Sequence, residues 1–244
     1  SFFHPMPLFR PFANAEMRTW LEDRRSQIDH DYLAWTEDGV WVREAGWVDV
    51  YELVRVSRVY FQSLGIFQER AYSESDTFER VIFCEGFHGQ QNPLWSKLPF
   101  LPAKGELMLF ESEQPSTDYI LSKNGFILPL AGNQFKVGAT YRWDEFSNSE
   151  TADAQTELKG KLNSMGVDTY SYLETRVGVR PATQDRRPFI GMHPQLPYGI
   201  FNGFGSKGVS LTPYFAHAFV EEIQGLKELP LDVSIRRFAH LFSL

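Results

Sequence analysis

Gly178-Val179-Arg180-Pro181-Ala182-Thr183-Gln184-Asp185-Arg186-Arg187-Pro188-Phe189-Ile190-Gly191, followed by Asn202-Gly203-Phe204-Gly205-Ser206-Lys207-Gly208-Val209-Ser210-Leu211-Thr212-Pro213, is the part of the chain on which the rest of the reading turns. The second stretch holds a G-x-G-x-x-G run between a predicted strand at Gly199–Asn202 and a predicted helix from about Val209 to Gln224. Such glycines let a backbone approach a pyrophosphate at a helix N-terminus, where unpaired N–H groups and the helix dipole favour negative charge. A complete dinucleotide fingerprint also needs a second strand ending in an acidic residue about 20 residues on. Glu228 lies at about that distance but precedes Pro230 and any second strand. A self-sufficient Rossmann unit is therefore the weakest reading. Two others stand: a tight strand-to-helix turn that needs glycine for positive φ, or a helix mouth meeting a ligand held mainly by another part of the fold.

Outward from this stretch, Pro5, Pro7 and Pro11 keep the first dozen residues extended or turned. Asn14 is a predicted N-cap for a helix from Ala15 to about Arg25, with Met17, Trp20 and Leu21 on one face. Gly39 to Glu44 alternates like a strand, and Asp49 caps a second helix that Gly65 stops. Phe78 to Cys84 ends in four consecutive apolar residues, the pattern of a buried parallel strand, with Cys84 as an inert core thiol. Glu106–Phe110, Asp118–Leu121, Gly125–Leu130 and Gln134–Thr140 read as an antiparallel meander joined by turns. Thr151 starts a mostly polar and so exposed helix to about Leu162, a strand follows near Tyr172–Val177, and the chain closes at Phe238–Leu244. Parallel-type βα units at the edges with an antiparallel block between them give the class α/β plus α+β.

Composition narrows the function. The 244 residues are 43% hydrophobic and 23% charged, with a formal net charge of −7, as in a folded globular protein. No basic run suits a nucleic-acid partner, and no stretch reaches the ~18 apolar residues of a membrane span. The one cysteine excludes an internal disulfide and points to a reducing, cytoplasmic setting. His4, His30, His88, His193, His217 and His240 lack metal-ligand spacing, so no metal site is expected.

The quoted stretch, G-x-R-P-x-T-x-D-x-x-P-x-I-G and then a glycine-rich turn entering a long helix, resembles the C-terminal signature of the FAD-dependent D-amino-acid oxidase and glycine oxidase family. That group includes sarcosine oxidases and the oxidase half of a tRNA-modifying enzyme. Upstream, Val81-Ile82-Phe83-Cys84-Glu85-Gly86 resembles the family strand that ends beside FAD. Lys104-Gly105-Glu106 resembles the start of the substrate-side sheet, and Gly138-Ala139-Thr140 the end of one of its strands. The resemblance implies a partial FAD-binding, Rossmann-like domain interleaved with an antiparallel-sheet substrate domain. Residues 1–77 would supply helices and strands of the substrate side with a crossover into the FAD domain, and 78–100 an FAD-domain strand and loop. Residues 101–177 would form the antiparallel substrate sheet plus a helix, and 178–244 the C-terminal FAD-domain segment. The family's N-terminal βαβ unit, which holds the FAD pyrophosphate, has no counterpart before Phe78. Ser1 is not an initiator Met, and Ser-Phe-Phe-His-Pro is not a signal peptide, so a chain truncated at its N-terminus is the expectation.

Roles follow from the same resemblance. Arg180 would hold a substrate carboxylate through a planar two-point fork; the alternative is a structural arginine paired with Asp185. Gly203, Gly205, Ser206, Lys207, Gly208 and Val209 would aim backbone N–H groups at the flavin pyrimidine edge, which becomes anionic on reduction. Gly86 and Phe87 would pass close to the cofactor, the alternative being a plain turn at a strand end. Phe126 stands where related oxidases place a tyrosine, with Tyr119 and Tyr141 as substitutes for substrate binding. The implied reaction is hydride transfer from a carbon bearing an amine of a small amine or amino acid to flavin N5, with no obligatory side-chain acid or base. The rival is a non-catalytic remnant or binding module that no longer holds FAD. The tRNA-modifying branch sits poorly with the acidic balance.

Overall fold

A computed structural model describes residues 1–27, 31–73 and 75–242; His30 and the last two residues of the expected closing segment lie outside the described residues. Along the chain run β1 (Phe3–Pro5), β2 (Leu8–Pro11), α1 (Ala15–Asp23), β3 (Leu33–Trp35), β4 (Gly39–Val42), β5 (Gly46–Val48) and α2 (Val50–Ser63). Then come β6 (Val81–Phe83), β7 (Ala103–Glu111), β8 (Ile120–Leu121), β9 (Phe126–Pro129), β10 (Gln134–Gly138) and α3 (Ala152–Ser164). The last elements are β11 (Ser171–Arg180), β12 (Phe189–Met192), β13 (Tyr198–Asn202) and α4 (Gly208–Ile223). The two expected N-caps, Asn14 and Asp49, are in place, and Thr151, expected to start the third helix, caps it as well. Asn14 Oδ1 accepts from the Met17 N–H at 2.8 Å, Asp49 Oδ1 from Glu52 at 3.1 Å and Thr151 Oγ1 from Ala154 at 3.3 Å. Gly65, at φ +67°, ends α2.

The chain divides into two compact units that it enters more than once. The first comprises Ser1–Gly65, Gly105–Tyr141 and Asn148–Gly178. Its large sheet has the strand order β11-β7-β10-β9-β8-β2-β4-β3. The expected meander is present, with β10 antiparallel to both β7 and β9 and β8 antiparallel to β9. Met108, Phe110, Ile127, Phe135 and Val137 pack against Leu158, Leu162 and Val167. This corrects the expectation of an exposed third helix. Ala154, Leu158 and Leu162 recur at four-residue spacing and are wholly buried, a narrow apolar stripe hidden in a polar segment. Burial of each leucine contributes about 1.5–3 kcal/mol. Glu106, on β7, is also buried, and its carboxylate accepts from the Thr151 N–H at 3.0 Å and the Thr151 hydroxyl at 2.9 Å. The strand thereby caps the helix that covers it.

The second unit comprises Ile66–Lys104, Arg142–Ser147 and Val179–Leu244. Its sheet has the order β12-β13-β6, with β13 parallel to β6 and antiparallel to β12. Both faces are covered, because adjacent residues of β12 point opposite ways. Phe189 packs with Trp95, Leu98, Ile200 and Ile235, while Ile190 packs with Phe219, Leu229 and Val233. β6 is parallel as expected, but it is half-buried and Cys84 beyond it is exposed, so the core location expected for that thiol is wrong. Partial desolvation and the neighbouring Glu85 charge push its pKa up, which keeps it a poor nucleophile. No described helix is long and apolar enough to cross a membrane. An antiparallel block with a covering helix and a mixed three-stranded sheet with helices together give the expected α/β plus α+β class.

Candidate functional site

The carboxyl ends of the parallel strands β6 and β13 lie side by side in the second unit, the place where open α/β sheets bind ligands. β13 ends at the buried Asn202. Its side chain accepts from the Gly203 N–H at 2.7 Å and donates to the Gly86 carbonyl at 2.9 Å, tying the two strand ends together. Gly203 has φ +80°, and a Cβ there would sit 2.8 Å from Thr183 Cγ2, so both backbone and space demand glycine. Gly205, at φ +56°, donates its N–H to the Pro181 carbonyl at 3.1 Å. The two halves of the quoted stretch therefore meet directly. A 3₁₀ turn at Gly205–Lys207 leads into α4, whose first turn begins at Gly208 and Val209 with no side-chain cap. Ser206, Lys207 and Val209 are exposed. The uncapped N–H groups and the helix dipole present about half a positive charge there.

Gly86 follows β6 at φ +57°, and a Cβ on it would meet no protein atom within 4 Å. Phe87 is half-buried, its ring centroid 5.6 Å from that of Phe146. Arg180 is the last residue of β11, half-buried, immediately before Pro181 and in the second unit. Beyond it the motif is fastened by its own side chains. Buried Thr183 donates to the Arg187 carbonyl at 2.8 Å, and Asp185 accepts from the Arg187 N–H at 3.0 Å. Asp185 also accepts from Arg237 Nε at 3.0 Å. Burial alone would raise the Asp185 pKa, but the Arg187 N–H and the Arg237 guanidinium outweigh it and hold the carboxyl below its ordinary value. Asp185 thus carries Arg237 as a cationic partner.

Tyr119 and Tyr141 belong to the first unit. The Tyr119 ring is half-buried, edge-on to Trp41 at 5.0 Å and to Phe9 at 6.1 Å. Tyr141 is 41% exposed, and the Phe126 ring lies over Gly138. The structure thus brings Gly86, Phe87, Gly203, Gly205, Ser206, Lys207, Gly208, Val209 and the loop after Arg180 into one unit and places both tyrosines in the other. Asn202 and Arg237 were not singled out from sequence. Asn202 opens the glycine stretch and is polar at the end of an apolar strand, a signal that could have been used. Arg237 carries no such mark. Among the described residues no group of three or more His, Cys, Asp or Glu side chains is placed to hold a metal ion.

The glycine oxidase of Geobacillus kaustophilus is 27% identical over 149 residues, covering 56% of this chain and 37% of that protein. The tRNA 5-methylaminomethyl-2-thiouridine biosynthesis bifunctional protein of Idiomarina loihiensis is 25% identical over 173 residues, covering 66% of this chain and 28% of that protein. The matched part of the chain spans well under half the length of either relative. Among solved structures, iminodiacetate oxidase from a Chelativorans species shares the fold with a TM-score of 0.78 at 21% identity, covering 95% of this chain and 76% of that one. Glycine oxidase from G. kaustophilus does so with a TM-score of 0.76 at 20% identity, covering 98% and 75%. A model of the FAD dependent oxidoreductase family matches residues 13–222, a span that takes in β6, the Arg180 motif and the glycine turn; the chain belongs to that family.

Proposed function

We propose that this chain forms the flavin-ring and substrate side of an FAD-dependent oxidoreductase acting on a small amine or amino acid. FAD, which the family implies, suits the residues present. The space that a Cβ at Gly86 would enter is clear of protein, Gly205 keeps its backbone bare at positive φ, and the first turn of α4 is uncapped. When bound, FAD supplies a hydride acceptor. The Gly208 and Val209 amides, with Ser206 and Lys207 before them, hold negative charge at the adjoining ligand edge. Gly86 and Phe87 border the ligand, and Gly203 keeps the turn in shape. Arg180 holds the substrate carboxylate with a guanidinium fork. No side chain is assigned a proton transfer, since an amine arriving neutral needs none. The single cysteine supports a reducing, cytoplasmic setting. The observation that carries the proposal is the Gly205 N–H to Pro181 carbonyl bond, which sets the helix mouth one residue from Arg180.

The test is a flavin titration of the purified 244-residue chain, followed by addition of glycine or iminodiacetate without air. The chain is expected to bind FAD through its ring system. Riboflavin should then compete with FAD while ADP does not, and a substrate amine should bleach the flavin absorbance. A colourless protein that FAD cannot reconstitute would contradict the proposal and favour the non-catalytic remnant. Competition by ADP as strong as that by riboflavin would contradict the assignment of the ring side.

A further inference from the structure

Lysine is among the residues least often buried, and a buried ammonium has to be paired. Lys104, the last residue of its segment of the second unit, has 0% exposure. Its Nζ donates to the Glu145 carboxylate and lies 3.3 Å from Ser147 Oγ. Glu145 also accepts from the Ser147 N–H at 2.6 Å. Lys104 foremost, and then Ser147, hold the Glu145 carboxyl down at a pKa of about 2. The backbone adds a second tie, because Lys104 N–H donates to the Arg142 carbonyl at 2.8 Å and Arg142 N–H to the Lys104 carbonyl at 3.0 Å. One residue therefore pins Arg142–Ser147 at both ends. Within that segment Phe146, 37% exposed, stands 5.6 Å from Phe87 between ring centroids. Phe87 follows Gly86, whose carbonyl Asn202 already holds. Ordering a six-residue segment costs chain entropy, and the buried lysine with its ion pair and two backbone bonds offsets part of it.

We infer that Lys104 is a positioning residue: by fixing Arg142–Ser147 it sets the Phe146 ring against Phe87 and so shapes the turn at Gly86 for the flavin. The last clause rests on the flavin reading proposed above. Lys104 is assigned no contact with substrate or cofactor and acts through the Glu145 segment.

Three variants test it. In Lys104→Met the new side chain fills the volume of the lysine stem, and the half-exposed Glu145 is left able to turn to water, so the fold should survive. Lys104→Arg keeps the cation. Phe146→Ala removes an exposed ring and leaves the ion pair intact. The first readout needs no flavin: trypsin cleavage after Arg142, followed by mass spectrometry, should speed up about 10-fold in Lys104→Met and stay within about twofold in Lys104→Arg. The second is FAD affinity by fluorescence quenching. Lys104→Met and Phe146→Ala should each weaken it about 10-fold, and the double variant also about 10-fold in place of about 100-fold, because both act through one contact. Unchanged cleavage in Lys104→Met, unchanged affinity in Phe146→Ala, or an additive double variant would each overturn the inference. If the unaltered chain binds no flavin, the flavin reading itself fails, and the cleavage readout alone still shows whether Lys104 holds the segment.

Discussion

The α3-facing side of the large sheet and the carboxyl ends of β6 and β13 are built from opposite materials. The first is side chain against side chain, with Met108, Phe110, Phe135 and Val137 meeting Leu158 and Leu162, and its one buried carboxylate, Glu106, spent on capping the covering helix. The second is backbone. Glycines at positive φ, a hydrogen bond from the Gly205 N–H to the Pro181 carbonyl and an uncapped helix start leave polar groups aimed outward. A packed face resists change through the volume it would lose. A backbone cradle resists change through conformation and through what it can no longer admit. Substitutions in the two regions should therefore separate stability from ligand binding.

The largest effect is expected where the cradle is also buried. Gly203→Val places a branched side chain at φ +80° with its Cβ 2.8 Å from Thr183, and urea denaturation should show a loss of about 4 kcal/mol. Leu158→Ala opens a cavity under the first unit's sheet and should lower stability by about 3 kcal/mol while the surviving folded protein keeps its flavin affinity. A parallel loss of flavin affinity would mean that the two regions are not independent. Arg180→Ala should raise KM for a carboxylate substrate about 10- to 100-fold, as expected for a lost charge-assisted pair, with flavin affinity changed less than about twofold. Equal loss of both would remove its assigned role. The smallest effect is one of pH. The Glu145 carboxyl is lowered from 4.5 to about 2 by Lys104, so its contribution is present above about pH 4.5 and is lost as pH falls toward 2. Denaturant titrations from pH 6 to 2.5 should show that slope in the natural chain and a shallower one in Lys104→Met.

Much of the first unit was legible because local rules govern it. Asn14, Asp49 and Thr151 announce their helices, and the turn residues between β8, β9 and β10 announce the meander. β3 and β5 escaped because strands of three residues show no alternation. β12 escaped because four residues behind a proline carry no alternation to read, and Gly191 sits inside the strand at φ +144° with Ile235 against it. α3 looked exposed because three buried positions in thirteen are a weak periodic signal. The second unit was legible by motif, since Gly178–Gly191 and the glycine turn were linked before any distance was known. The side chains that fasten those motifs were not. Arg237 reaches Asp185 across 52 residues and Lys104 reaches Glu145 across 41, and such pairings exist only once the fold has formed.

The central claim is that a flavin ring lies against the turn at Gly86, and Gly86→Asn tests it most directly. Asparagine tolerates φ +57° better than other side chains, and no protein atom lies within 4 Å of the new Cβ, so thermal stability should hardly move. If the flavin occupies that space, FAD affinity should fall about 100-fold or more, the consequence of a side chain where a ring must sit. An unchanged affinity in a stably folded Gly86→Asn protein would contradict the account.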